Sequence, residues 1–79
     1  MSNFAMLNNF DLRWLVGDSI IKAAHGKVDG NLDDLREGTR TARLAIEELV
    51  RRDAFELDGA SPAQHVASRI RYHVERTVR

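Results

Sequence analysis

The sequence predicts an all-α fold, a compact bundle of three helices that follows an apolar leader. Three segments place their apolar residues at helical spacing, and a capping residue precedes each of them. No segment alternates apolar and polar residues for long enough to form a sheet. We expect one domain over residues 1–79, with the leader at residues 1–10 and helices at about residues 11–25, 32–53 and 62–78.

Capping residues indicate where each predicted helix starts. Asp11 and Asn31 precede the first two helices, where a side-chain oxygen accepts a hydrogen bond from a free backbone N–H group. Ser61 gives the strongest signal, because Pro62 follows at the first helical position and Gln64 completes a capping box. The links between the helices are short, so we expect consecutive helices to pack antiparallel or at a steep angle.

The first predicted helix is apolar around most of its circumference. We expect it to end at Gly26, because glycine adopts a left-handed conformation at little cost. Leu12 and Ile20 lie on one face, and Trp14 and Ile21 lie on the far side. A helix with this pattern is buried on two sides. One side packs on the other two helices, and the far side needs a separate cover.

The leader and a second molecule are the two candidates for this cover. Phe4, Met6, Leu7 and Phe10 give the leader more large apolar side chains than a frayed terminus carries. Either the leader folds back over the first helix, or a symmetry mate covers it. A domain of this size is marginally stable alone, and the absence of cysteine removes disulfides, so we expect a homodimer. The residues expected to self-associate are Phe4, Phe10, Trp14 and Ile21.

The second predicted helix carries small residues beside its apolar stripe. Leu35, Ala42 and Ile46 lie on the stripe, and Gly38 and Ala45 lie on its shoulder. Because these two residues are small, we expect a neighbouring helix to approach closely at this shoulder.

The sequence contains no catalytic or metal-binding pattern. His25, His65 and His73 do not form a zinc pair at i, i+4 spacing, and without cysteine there is no thiolate ligand. The segment GKVDGN fits neither a phosphate loop nor a calcium loop. Carboxylates of the second helix lie one turn from arginines, as Glu48 does from Arg52, which is typical of a solvated face. We expect no enzyme, no cofactor and no bound metal.

A basic stripe follows the outer face of the third predicted helix. Residues 61–79 carry four arginines against one acid, whereas residues 31–60 carry five bases against eight acids. The stripe is either a solvated face, a surface for an acidic protein, or a surface for nucleic acid. Zero net charge and the long acidic link DAFELDGA argue against nucleic acid. The basic stripe, our candidate partner-binding surface, comprises His65, Arg69, Tyr72, Arg76 and Arg79.

These observations favour a small non-catalytic protein–protein interaction module. We expect it to regulate or inhibit a partner by occupying the partner's surface, as a phage or mobile-element protein directed at a host complex would. The alternative is a DNA- or RNA-binding regulator that uses the basic stripe. The N-terminal MSNFAMLNNF lacks the basic start and long apolar core of a signal peptide, and no apolar run could span a bilayer. We therefore expect a cytoplasmic protein of bacterial or phage type that does not contact membranes.

Overall fold

Three α-helices make up most of residues 3–77, which are the residues that the computed structural model describes. After a 3₁₀ turn at Asn3–Met6, the helices are α1 (Asn9–Asp29), α2 (Leu32–Arg51) and α3 (Pro62–Thr77). Each helix contacts the other two, and residues 3–77 contain no strand. The radius of gyration, 12.4 Å, is near the value of about 12 Å expected for a compact chain of this length. The predicted all-α bundle of three helices is confirmed.

Helix α1 is longer at both ends than the sequence predicts. Asn8 caps the start of α1: its side-chain oxygen accepts a hydrogen bond of 2.8 Å from the N–H group of Asp11. The prediction that Asp11 caps this helix is therefore wrong: Asp11 lies in the first turn of α1, where a carboxylate suits the positive end of the helix dipole. Within residues 3–77, no helix combines the length and apolar character needed to cross a lipid bilayer.

Gly26 lies inside α1, so the prediction that the helix ends there is wrong. A Cβ atom on Gly26 would lie 2.7 Å from the backbone nitrogen of Leu35 and 2.8 Å from the carbonyl oxygen of Asn31. Gly26 is thus a contact point for the start of α2. Gly30 ends α1 instead, with a φ of 75° and an N–H group that donates to the carbonyl of Gly26.

The predicted starts of α2 and α3 agree with their caps. The Asn31 side-chain oxygen accepts a hydrogen bond of 3.1 Å from the N–H group of Asp34. Ser61 and Gln64 form the expected reciprocal capping box, with bonds of 2.8 and 3.1 Å. Helix α2 ends at Arg51, slightly before the predicted residue, since Asp53 has a left-handed φ of 57°.

The core lies between α1 and α2, and α3 closes it. Gly38 permits the close approach of these two helices, because a Cβ atom on it would lie 2.8 Å from the backbone nitrogen of Ala23. The prediction that small residues allow a close approach is confirmed at Gly38. The buried apolar residues of the core are Leu12, Val16, Ile20, Ala23, Ala24, Ala42, Ala45, Ile46, Leu49, Val66 and Ile70.

Arg52 attaches the leader to the bundle. Its guanidinium group donates hydrogen bonds to the backbone carbonyls of Phe4, Ala5 and Leu7, at 3.2, 3.2 and 2.7 Å. The side chains of Phe4 and Leu7 pack against the core. One arginine from the end of α2 therefore binds three carbonyls of the leader.

Glu48 holds the Arg52 guanidinium in place. The Glu48 carboxylate accepts a hydrogen bond of 2.7 Å from Arg52, as the spacing of the two residues predicts. Hydrogen bonds from Arg51 and Arg52 lower the pKa of Glu48 to about 2. The carboxylate is therefore charged at neutral pH, and it orients the arginine toward the leader.

Candidate interaction surfaces

The outer side of α1 exposes several large apolar side chains. Phe10, Trp14 and Ile21 are 66, 60 and 43 % exposed, although each is large and apolar. They line a shallow groove of about 420 Å³ on the surface of α1. We call the residues that line this groove the α1 patch: Phe10, Arg13, Trp14, Gly17, Asp18 and Ile21.

The spacing of the apolar residues in the α1 patch explains why they share one face. Phe10, Trp14, Gly17 and Ile21 follow one another at intervals of four, three and four residues. This alternation is the heptad pattern of a seam between two helices. Exposed Val28 lies one heptad beyond Ile21 and continues the same line. The surplus apolar face that the sequence predicts on α1 is thus present and uncovered in the chain.

The leader does not cover the α1 patch. Phe4 and Leu7 pack against the core, whereas Met6 and Phe10 are exposed. Phe4 is therefore separate from the other three residues expected to self-associate, which lie together on α1. The leader therefore covers part of the core and leaves Trp14 in water.

Charged residues border the α1 patch on both edges. On a helix with 100° between successive residues, Arg13 and Asp18 lie about 70° to either side of the apolar seam. The Arg13 Nη2 atom donates a hydrogen bond of 3.0 Å to the carbonyl of Ala54, which fixes the arginine beside the link between α2 and α3. Neither Arg13 nor Asp18 forms an ion pair within residues 3–77.

At the centre of the basic stripe, two arginine side chains stack on the ring of Tyr72. The guanidinium carbons of Arg69 and Arg76 both lie 5.4 Å from the centroid of the Tyr72 ring, and Arg76 donates a hydrogen bond of 2.9 Å to the Tyr72 hydroxyl. His65 is half-buried, and its ring meets the Phe55 ring edge-on at 5.1 Å. Arg79 lies outside the described residues.

This stacking limits what the basic stripe can bind. The ring of Tyr72 already contacts two guanidinium groups and the ring of His73, at 5.5 Å. A nucleobase that stacked on Tyr72 would compete with these contacts. Arg69 and Arg76 remain exposed and are oriented by the ring, which suits the binding of carboxylate or phosphate groups.

A groove between the helices carries two cations, and no sequence pattern indicated it. Lys27 of α1 and Arg71 of α3 line a groove of about 370 Å³ together with apolar residues that include Leu35 and Ala67. The two cations are far apart in the sequence and on different helices. Only the packing of α1 against α3 brings them together, so no local spacing could have indicated this groove.

Among residues 3–77, no group of three or more histidine, aspartate or glutamate side chains is arranged to hold a metal ion. Comparison of the chain with protein families, with curated proteins and with solved structures finds no match.

Proposed function

We propose that this protein is a non-catalytic protein–protein interaction module that regulates or inhibits a partner by occupying the partner's surface. The exposure of Trp14 at the centre of the α1 patch is the observation that carries the proposal. Contiguous apolar patches rimmed by polar residues mark interaction sites in soluble proteins. Tryptophan is also among the residues that contribute most to binding energy.

The energetics of the α1 patch support this proposal. Large aromatic side chains bury roughly 150–250 Å² each, so Phe10 and Trp14 each leave on the order of 100 Å² in water. Covering that area contributes about 2–3 kcal/mol per ring at roughly 25 cal/mol per Å². A partner that covers both rings therefore gains a substantial part of the free energy that a micromolar complex requires.

The basic stripe is the second contact surface in this proposal. Arg69, Tyr72 and Arg76 are exposed on α3 and form one preorganised group, and arginine and tyrosine are frequent anchors at interfaces. Their chemistry favours an acidic protein surface. A phage or mobile-element protein that blocks an acidic site on a host complex would combine these features.

Site-specific photo-crosslinking tests the proposal. A photoreactive phenylalanine analogue replaces Trp14 in one variant and Leu32 in a control variant, in cells of the organism that encodes the protein. Leu32 is the matched control, because it is also apolar and exposed but lies at the start of α2. We expect protein adducts from position 14 at several times the yield from position 32. Equal yields, or no adducts at position 14, would contradict an interaction role for the α1 patch.

A DNA- or RNA-binding regulator is the alternative function. The exposed arginines around Tyr72 favour it, because cations with an interleaved aromatic ring can contact phosphates and bases. The zero net charge of the chain and the occupied tyrosine ring count against it. This alternative predicts binding to nucleic acid that depends on Arg69 and Arg76 and weakens steeply with salt.

A further inference from the structure

We propose that the α1 patch binds a second copy of this chain, in a two-fold symmetric dimer whose α1 helices run parallel and approach each other most closely at Gly17. This inference rests on the proposed function, because it requires the α1 patch to bind protein, and it leaves the exposed residues of the basic stripe on α3 as the surface that contacts the regulated partner. Three features of the chain identify a second copy as the occupant: an unexplained glycine, the heptad spacing, and unpaired charges of opposite sign.

Gly17 is the glycine that the isolated chain does not explain. Three glycines lie inside helices, and a Cβ atom on Gly26 or Gly38 would collide with backbone atoms of a neighbouring helix. A Cβ atom on Gly17 would have nothing within 4 Å. Glycine is a poor helix former, so its presence at an open position in the middle of α1 has a cost without a benefit in the monomer. A close approach by another helix supplies that benefit.

The heptad spacing on α1 indicates that the element which approaches Gly17 is another helix. Phe10, Trp14, Gly17 and Ile21 form a seam on α1 that faces outward, and a seam of this period is matched by another helix with the same period. In a parallel pair the side chain of Ile21 leans toward the N-terminus of its helix and covers the space above Gly17 of the other copy. The large residues then surround the point of closest approach.

The charges at the two edges make the α1 patch complementary to itself. In a parallel two-fold pair, the residue on one edge of a seam faces the residue five positions later on the opposite edge of the other helix. Arg13 and Asp18 have this separation, and neither forms an ion pair within residues 3–77. Two copies would therefore form two Arg13–Asp18 pairs. A partner with a single sign of charge would leave one of the edges unmatched.

Sedimentation equilibrium of the purified protein tests the dimer. The monomer mass is 9.0 kDa, and we expect a species of twice that mass that dissociates on dilution through the micromolar range. Trp14 is the chain's single tryptophan, so its emission should shift to shorter wavelength as the dimer forms and buries it. Arg13→Glu and Asp18→Lys should each weaken the dimer, and the double variant should recover part of the loss.

Two substitutions distinguish this interface from others. Gly17→Ala should raise the dissociation constant of the dimer by about tenfold or more while it raises the helical stability of the monomer, because the added methyl group has space in the monomer only. Trp14→Ala should raise the dissociation constant by about tenfold or more. Leu32→Ala, which removes an exposed apolar side chain elsewhere, should leave it unchanged.

The outcomes separate this inference from the proposed function. A species of 9.0 kDa at every concentration would overturn the dimer, and adducts with other proteins at position 14 would still support the interaction role. A dimer that Trp14→Ala and Gly17→Ala leave intact would place the interface elsewhere and would also overturn the inference. A monomer that gives no adducts at position 14 would contradict both proposals.

Discussion

At the residue scale, the glycines inside helices show that one residue type serves different purposes in this chain. Gly26 and Gly38 are required by contacts within the chain, because the backbone of a neighbouring helix occupies the space beside each of them. Gly17 faces open space, and we assign its purpose to a contact between chains. All three glycines lie inside helices, so only the atoms around each of them distinguish these roles.

Gly38→Ala tests the packing requirement within the chain. The new methyl group would meet the backbone of α1 at Ser19 and Ala23, which cannot move without separating the two helices. We expect the free energy of unfolding to fall by about 1–3 kcal/mol, the usual cost of overpacking, even though alanine is the better helix former. Urea denaturation followed by circular dichroism measures this change.

Gly17→Ala is the matched control for this substitution. At a concentration at which the chain is monomeric, we expect it to raise the free energy of unfolding by about 0.5–1 kcal/mol, because helix propensity is then the only effect. If both variants changed stability in the same direction and by the same amount, the close approach of α1 and α2 at Gly38 would not be a packing constraint.

At the scale of elements, the leader has little regular structure, and hydrogen bonds from the Arg52 side chain attach its backbone to the bundle. Its single 3₁₀ turn spans Asn3–Met6, and Arg52 binds three of its carbonyls. The fork of the guanidinium group is suited to several acceptors at once, whereas a lysine ammonium group is a compact point charge. The attachment of the leader therefore depends on the identity of Arg52 as well as on its charge.

Arg52→Lys tests this attachment. We expect the free energy of unfolding to fall by about 1–3 kcal/mol, because a lysine ammonium group cannot bind all three carbonyls of the leader at once. The amide of Leu7, which donates to the carbonyl of Phe4, should exchange with solvent faster. Amide hydrogen exchange and urea denaturation measure the two effects.

Arg51→Lys is the control for the neighbouring position. Arg51 is also an arginine that pairs with Glu48, but it is exposed and does not contact the leader. We expect this variant to leave both the stability of the chain and the exchange of Leu7 unchanged. The attachment role of Arg52 would be refuted if the two lysine variants behaved alike.

At the scale of the whole molecule, opposite charges are segregated although the net charge is zero. Residues 31–60 are acidic and residues 61–79 are basic, so the basic stripe lies in the same small bundle as an acidic segment. The acidic segment weakens the long-range attraction of the molecule for a polyanion. The arrangement favours a local contact with a protein over tracking along a phosphate backbone.

Binding assays with mixed-sequence duplex DNA and with single-stranded RNA test whether the charge distribution favours protein over nucleic acid. We expect no detectable association at low salt by fluorescence anisotropy, because neutralisation of phosphates is the main source of nonspecific affinity and a neutral molecule supplies little of it. Binding that falls steeply with salt and weakens in Arg69→Ala or Arg76→Ala would support the nucleic-acid alternative and contradict the expected outcome.

Much of the fold could be predicted because its signals are local. The caps at Asn31 and Ser61 and the pairing of Glu48 with Arg52 each involve residues within about one turn of one helix. Such signals depend on helical geometry alone. The apolar surplus around Trp14 was predictable for the same reason, as was the stripe of basic residues on α3.

The remaining features depend on which distant segments meet. Gly26 has the sequence character of a helix end, but the start of α2 packs on it and α1 continues to Gly30. Sequence spacing could not show that Arg52 reaches the leader, that Phe4 packs against the core while Phe10 is exposed, or that Lys27 and Arg71 line one groove. These are contacts between residues far apart in the chain.

Local patterns in the sequence were enough to give the number of helices, the caps that start α2 and α3, and an apolar face on α1 too extensive for two neighbours to cover. The packing of the helices and the leader sets which part of that face is left in water, and it also moves the two ends of α1 to Asn8 and Gly30. The physical reason is that helical periodicity assigns every residue to a side of its own helix, whereas burial depends on the space that the other helices and the leader occupy.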